Sequence, residues 1–355
     1  QEVKNHGDSA LIRFTKEFDG VELSADALKV NREEIDEAYD KVKKECLSAL
    51  KFLKSQLEYF EGQLLERLNF ESERLGIKIY FKTCPLQSVG CYVPGGGAAY
   101  PSTLIMTATP ARLAGVERIV VCSPPTKEGR LNPLTLVAAD LCGVDEIYKV
   151  GGAQAIAALA YGTDSIDPVE KIVGPGNKYV TMAKILVSRD VAIDFPAGPT
   201  EIIILADENA DPELIALDLI SQAEHGTDSI PILITTSKEI AEKVVKEIEK
   251  ALPSSPRRET IAEALSSNGL IIKCKNIDEA VKFINDFAPE HIEIIARDPA
   301  AVADKIRSAG LILLGPYAPV SASDYAFGTN HVLPTGGFAH VFSGLSVLDF
   351  IKRIN

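Results

Sequence analysis

Gln222 and His225 stand three residues apart near the end of a stretch, Asp194 to Gly226, that reads as a strand, a Gly/Pro elbow, a second strand and a helix. Asp211 is the expected N-cap of that helix, Pro212 its first residue and Glu213 part of its first turn, with Gly226 just past the last turn. A spacing of three puts Gln222 and His225 on one helical face while Glu224 points elsewhere, so one helix can offer two donors to one ion. The plainer reading is a histidine complementing the helix macrodipole beside a solvated glutamine. Asp218 in the same helix and a neutral glutamine ligand favour that plainer reading, because zinc sites mostly recruit Cys, His and carboxylate.

A second pair changes the balance. In INDFAPEHIEII, Glu290 and His291 are adjacent acid/base groups directly after Pro289. The helical pattern from Asp278 to Phe287 must stop ahead of that proline, which drives the preceding residue out of the α region, so the pair is expected on a helix-to-strand loop. A third stretch, GPYAPVSASDYAFGTNHVLPTGG, carries Asp324 and His331 in what its Gly, Pro, Ser and Asn content marks as a loop rather than a helix or long strand. By residue type alone, a loop carboxylate and a backbone-satisfied histidine explain Glu290 and His291 as well as catalysis does.

The elements that must position these residues follow from periodicity. Residues 1 to about 80 read as helices, including GDSALIRFTKEF and the long Glu/Lys/Leu-rich run NREEIDEAYDKVKKECLSALKFLKSQLEYFEGQLLERL. From about Gln87 short β-rich runs alternate with helices: LQSVGCYVP, TLIMTATPARLAG, RIVVCSPP, LNPLTLVAADLCG, EIYKVGG. A second alternating series begins after Thr200 with EIIILAD and ends with LILLG. The expected fold class is α/β: two doubly wound, incomplete Rossmann-like parallel-sheet domains, one inserted in the other, plus a helical N-terminal segment. Glycine clusters PGGG at 94–97 and GPGN at 174–177 follow strand-like segments, where backbone amides could approach a phosphate. Gly95 and Gly97 supply the first two glycines of a GxGxxG pattern, but Tyr100 stands where the third belongs, so tight turns explain the clusters equally well.

Composition bounds the function. The chain of 355 residues, 46% hydrophobic and 25% charged, is long enough for two domains with substantial cores. A net charge of -13 excludes a role on nucleic acid or a membrane surface, both of which need a basic face, and leaves a small-molecule substrate. Six cysteines at 46, 84, 91, 122, 142 and 274 lack CxxC spacing. Neither a disulfide framework nor a thiolate-held zinc is indicated, and a reducing, cytoplasmic compartment is expected. No apolar run reaches membrane-spanning length, and the Gln1 start reads as a trimmed or processed chain rather than a signal peptide.

The motifs APEH and SDYAFGTNHVLPT, taken with HGDSALIRFTKEFDG, VGCYVPGG, VGGAQAIAALAYGT, VGPGNKYV and FSGLSVLDFIKRI, resemble those of the histidinol dehydrogenase family over nearly the whole chain. The resemblance implies NAD-dependent, zinc-assisted four-electron oxidation of L-histidinol to L-histidine via histidinaldehyde, the last steps of histidine biosynthesis. It implies a cytoplasmic homodimer with the active site completed across subunits. Glu290 and His291 would be the catalytic pair, and Gln222, His225 and Asp324 the zinc ligands. Thr200, Gln222, His225, His291, Asp324 and His331 would bind substrate, while Tyr92, Gln154 and Asn177 would line the NAD site. On the same grounds residues 1–91 and 201–345 are expected to form the main α/β domain with the metal and catalytic residues. Residues 92–200 would form an inserted NAD-associated domain, and 346–355 would begin a C-terminal tail. Family members continue past this point with a further histidine ligand and a substrate-recognising glutamate, so this chain is one ligand short and zinc is expected to be weak or absent unless His340 completes the set.

His291, with an ordinary pKa of roughly 6.5, is the natural base for the alcohol. Glu290 would activate the water that adds to the aldehyde, and zinc would act as a template for the substrate nitrogens. Three rivals stand beside this reading: a dehydrogenase of the same family for another amino alcohol or diol, a tail-less form without turnover, and a metal-dependent hydrolase. A thiohemiacetal route through Cys91 or Cys122 is the chemical rival, although small buried cysteines are commoner.

Overall fold

Capping and helix propensity organise the start of the chain into α1 (Glu2–Phe14), α2 (Ala25–Leu28), α3 (Arg32–Lys41) and α4 (Lys44–Leu65). Asn31 accepts the Glu34 N–H while the Glu34 carboxylate accepts the Asn31 N–H, a capping box that starts α3. The structure, a computed structural model, describes residues 1–95 and 98–355. Gly97 of the PGGG cluster therefore lies outside the described residues. The expected helical reading to about residue 80 is corrected in two places. Val42 and Lys43 are extended and separate α3 from α4. After Leu65 the chain forms an antiparallel hairpin, β1 (Phe70–Arg74) and β2 (Ile77–Pro85), turning at Leu75 and Gly76, both with positive φ. Alternating Ile77, Ile79 and Phe81 after a glycine turn is a strand pattern, and it prevails over the surrounding Glu and Lys.

The first parallel sheet comprises β3 (Ser88–Tyr92), α5 (Pro101–Ala114), β4 (Arg118–Cys122), α6 (Pro133–Leu141), β5 (Glu146–Tyr148), α7 (Gly152–Tyr161), β6 (Lys171–Val173), α8 (Lys178–Val187) and β7 (Ala192–Ile193). Its strands lie in the order β5-β4-β3-β6-β7. The second comprises β8 (Glu201–Ala206), α9 (Pro212–Ala223), β9 (Ile230–Thr235), α10 (Lys238–Ala251), α11 (Arg258–Asn268), β10 (Leu270–Lys273), α12 (Ile277–Phe287), β11 (His291–Ile295), α13 (Pro299–Ala303), β12 (Leu311–Leu314) and α14 (Val320–Tyr325). Its order, β10-β9-β8-β11-β12, repeats the first. Both sheets are doubly wound, with the winding direction reversing beside the first strand of each, between β3 and β6 and between β8 and β11. β8 is buried along its whole length, as a central parallel strand covered on both faces must be. Finally β13 (Ile351–Ile354) pairs antiparallel with β2.

Contacts divide the chain into two compact units, residues 1–196 with 325–332 and 345–355, and residues 197–324 with 333–344. This differs from the expected grouping of 1–91 with 201–345. A boundary at 91/92 would cut β3, and the N-terminal helices bury Leu11, Leu50, Leu53 and Leu57 in cores built around the first sheet. Residues 346–355 belong to that same unit, with Val347 and Phe350 in its core. In the second unit, Ile202 and Ile204 face one core and Ile203 and Leu205 the other, the two-sided burial that a wound sheet requires.

Candidate active site

Glu201 opens β8 and His291 opens β11, two adjacent parallel strands with His291 paired to Ile202. The pair Glu290–His291 thus sits at the amino edge of the second sheet, between the two strands where the winding reverses. α9 runs back against the strands and so brings its C-terminal end to the same edge. It stops at Ala223, with Glu224 as C-cap, so Gln222 is in the last helical turn but His225 lies in the turn beyond rather than on the helix. Asp324 is also corrected: it stands on the short helix α14, which the Gly/Pro-rich surroundings concealed. Thr200, half-buried, precedes Glu201 and accepts the Ile230 N–H through its carbonyl.

Glu290 and His291 are both buried. The His291 Nδ1 lies 3.4 Å from the Glu201 carbonyl oxygen and 3.5 Å from Glu290 Oε2. A carbonyl can only accept, so Nδ1 carries the proton in the neutral ring and Nε2 keeps its lone pair. Nε2 is buried with no hydrogen-bond partner among the described residues. Burial disfavours charge on this ring, but Glu290, Asp324 and the Glu201 carbonyl together outweigh it and hold the His291 pKa above the ordinary value. Asp324 is pushed up to about 6, first by burial and then by Glu290, against the attraction of His291. His225 keeps an exposed edge, yet its crowded surroundings lower its pKa, with desolvation leading and His291 acting the same way against Glu290 and Glu224. The structure therefore brings His225 and Asp324 each within electrostatic reach of the Glu290–His291 pair.

Behind this edge lies a pair that sequence reading assigned only as a polar position in α9. Glu293 follows His291 on the same sheet face and lies close enough to Asp218, one turn before Gln222, for each to shift the other, while both Glu293 carboxylate oxygens are buried with no hydrogen-bond partner among the described residues. Two neighbouring buried carboxylates repel one another when both are ionised, which favours the pair keeping a proton. Burial first, then Asp218, pushes Glu293 up to about 9. A folded-state pKa raised above the ordinary 4.5 means that stability is fully present below that value and is lost as pH rises through about 9. Glu293→Gln keeps a donor for Asp218 without the titration. Urea unfolding at several pH values should show wild-type stability declining between pH about 5 and 9 and a flatter E293Q profile, and parallel profiles would disprove the shared proton.

Gly310 supports the pair from below. Its N–H donates to the Pro289 carbonyl at 2.9 Å, and a Cβ there would lie 2.6 Å from the Glu290 carbonyl oxygen and 3.2 Å from Leu333 Cβ. Backbone must move to admit a methyl group, so Gly310→Ala should destabilise by about 2 kcal/mol and displace Glu290. Thermal unfolding checks the first expectation, and an unchanged midpoint would show that the segment yields freely.

The expected cofactor residues lie in the first unit. Tyr92, at the end of β3, is buried and accepts the Gly152 N–H at its hydroxyl, 3.1 Å away. Gln154 is buried in the first turn of α7. Asn177 caps α8, accepting the Tyr179 and Val180 N–H groups at 3.0 and 3.2 Å. Gly174, with φ +111°, comes so close to Tyr92 that a Cβ would lie 2.2 Å from the Tyr92 carbonyl oxygen. The buried ion pair Lys184–Asp194 pins it: Gly174 N–H donates to Asp194 Oδ2 at 2.7 Å and Lys184 donates to the Gly174 carbonyl at 2.9 Å. These groups converge on the carboxyl edge of the first sheet at its winding reversal. His331 belongs to the same unit, its Nε2 3.5 Å from the Thr103 hydroxyl and its ring edge-on to Tyr325.

Two expectations about reactive groups are addressed by burial and by hydrogen bonding. Cys91 and Cys122 are fully buried, and burial raises both thiols, Cys91 to about 12, so neither is available as a thiolate nucleophile. His340 has its Nδ1 3.2 Å from Ser308 Oγ and its Nε2 3.3 Å from the Asp286 carbonyl, which occupies both ring nitrogens. Among the described residues no group of three His, Cys, Asp or Glu side chains could hold a metal ion. Gln222, His225 and Asp324 thus provide an amide, an imidazole and a carboxylate, short of the four donors of a closed zinc site. Sequence reading missed Glu201, Gly310 and Gly336; the only signal for Glu201 was a charge at the head of an otherwise apolar strand.

Two wound parallel sheets, one edge carrying a buried acid/base pair, define a two-unit α/β protein with an acid/base site. The fold is shared with a propionaldehyde dehydrogenase from Clostridium phytofermentans at TM-score 0.54 and 15% identity, covering 99% of this chain and 96% of that one, a likeness of fold alone. A sequence model for histidinol dehydrogenase matches residues 1–355. Histidinol dehydrogenases from Methanocaldococcus jannaschii and Clostridium acetobutylicum are 47% identical over 355 residues and 50% identical over 351. These alignments cover 100% and 99% of this chain and 82% and 81% of those relatives. The crystal structure of histidinol dehydrogenase from Elizabethkingia anophelis superposes at TM-score 0.96 with 41% identity, covering 99% of this chain and 81% of that one. The chain belongs to the histidinol dehydrogenase family, oxidoreductases of histidine biosynthesis that act on histidinol. No helix among the described residues is long and apolar enough to cross a membrane.

Proposed function

We propose that this chain catalyses NAD-dependent oxidation of L-histidinol to L-histidine in two steps, alcohol to aldehyde and hydrated aldehyde to carboxylate. The observation that carries the reading is the buried His291 ring, with Nδ1–H directed at acceptors and an unpartnered Nε2, beside the Glu290 carboxylate. In the first step Nε2 takes the hydroxyl proton as the carbinol carbon gives up a hydride, and Glu290 and the Glu201 carbonyl stabilise the charged ring. In the second, Glu290 takes a proton from the water that adds to the aldehyde carbon, and the resulting hydrate loses its hydride to become the acid. NAD, when bound, accepts one hydride in each step. Tyr92, Gln154 and Asn177 are the proposed contacts for it. Thr200 and His331 are proposed to orient substrate.

Gln222, His225 and Asp324 are the groups proposed to meet a zinc ion. No step above is routed through that ion. We further propose a homodimer, and a reducing, cytoplasmic compartment, the latter supported by six free cysteines. The test is to supply histidinol and NAD and follow absorbance of the reduced nicotinamide. Two equivalents of NADH per histidinol are expected. One equivalent with accumulating aldehyde would refute the four-electron course, and faster turnover of simple diols would redirect the substrate assignment.

A further inference from the structure

The first N–H groups of adjacent parallel strands have no ladder partner and must be satisfied in some other way. At β8 and β11 two glutamates do this reciprocally. The Glu201 N–H donates to Glu290 Oε2 at 3.0 Å, and the Glu290 N–H donates to Glu201 Oε2 at 3.3 Å. The second oxygen of Glu201, Oε1, accepts the Gly336 N–H at 2.9 Å, and its carbonyl faces His291 Nδ1. One residue therefore touches the backbone of Glu290, the ring of His291 and the turn at Gly336. It is 4% exposed.

We infer that Glu201 is a positioning residue for the reaction, clamping the Glu290–His291 segment and the Gly336 turn into a single arrangement and acting through them rather than on the substrate. The inference rests on the reading of Glu290 and His291 as the catalytic pair. A serine or asparagine could cap two strand ends at less desolvation cost than a carboxyl group. Burial and the neighbouring Glu290 push the Glu201 carboxyl up to about 7 against the Gly336 N–H, so its charge responds to conditions in which the pair works. The position of Glu290 is thereby linked to that of Glu201.

The experiment compares wild type, E201A and E201Q by amide hydrogen exchange, thermal midpoint, and the pH profiles of kcat and KM for histidinol with NAD. E201A should lose protection at the Glu290 and Gly336 amides and lower kcat by about 10- to 100-fold, with KM changed far less. E201Q keeps one of the two acceptor oxygens and should recover part of that loss, while the acid limb of kcat moves to lower pH because the ionised fraction of Glu201 near neutrality no longer favours the charged His291 ring. Unchanged kcat in E201A, or an effect confined to KM, overturns the inference. Should E201A fail to fold, E201Q decides through its acid limb, and an unshifted limb overturns the inference. A wild type that forms no NADH from histidinol defeats the activity reading and the inference with it, whereas an active wild type beside an indifferent E201A defeats the inference alone.

Discussion

His291→Ala should lower kcat for histidinol oxidation by about a thousandfold, the scale of losing a positioned general base, while the thermal midpoint changes little. The argument is geometric before it is electrostatic. With Nδ1–H directed at the Glu201 carbonyl, 3.4 Å away, only Nε2 can receive a proton, and that atom is buried with no partner among the described residues to compete for it. An alanine removes the acceptor and leaves β11 to pair with Ile202 through its backbone as before. His291→Asn offers a second check, because its amide can still donate toward the Glu201 carbonyl but cannot act as a base. Both variants should be equally inactive, and histidinol-dependent NADH formation surviving in either would remove His291 from the role. The pH dependence has a definite sign. Since Glu290 and Asp324 hold the His291 pKa above the ordinary value near 6.5, and the base must be neutral, wild-type kcat/KM should rise with pH and level off only above that value. A limb centred below it would mean that desolvation, not the carboxylates, dominates at this ring.

Much of this architecture is written locally in the chain. The alternation of short β-branched runs with helices fixes two wound sheets, and Asp211-Pro212 starts α9 where the capping pattern requires. The Pro289 rule ends α12 before the acid/base pair, with Ala288 turned to φ 54. Errors arose where a pattern was shared between states. The Glu-rich segment Phe70–Arg74 has the composition of the helix before it, and only its pairing with Ile77–Phe81 makes it a strand. His225 looked helical because a spacing of three is helical, whereas the helix had already been capped at Glu224. The supporting residues were invisible for a different reason. Glu201 matters through its partner 89 positions later, Glu293 through Asp218, and Gly310 through a close approach to Glu290. No periodicity in one chain encodes such tertiary contacts. They arise from the sheet register, which sets Glu201 beside Glu290 once β8 and β11 are neighbours.

Glu290→Gln should separate the two half-reactions. In single-turnover assays, oxidation of added aldehyde should fall by about a hundredfold, because the amide cannot take a proton from the attacking water. Oxidation of the alcohol should fall much less at high pH, since Nε2 of His291 performs that proton transfer. The amide oxygen of the variant can still accept the Glu201 N–H, so the clamp across the two strands is retained and the comparison reports charge rather than displacement. Losing the carboxylate also removes the main group that raises the His291 pKa, so the acid limb of alcohol oxidation should move to lower pH in the variant. The two effects have opposite consequences below neutrality. The alcohol step is partly relieved while the aldehyde step is blocked, and histidinaldehyde should accumulate most at the acid end of the range. Equal losses in both half-reactions with an unshifted limb would assign Glu290 to orientation of His291 alone, and the water would then need another base.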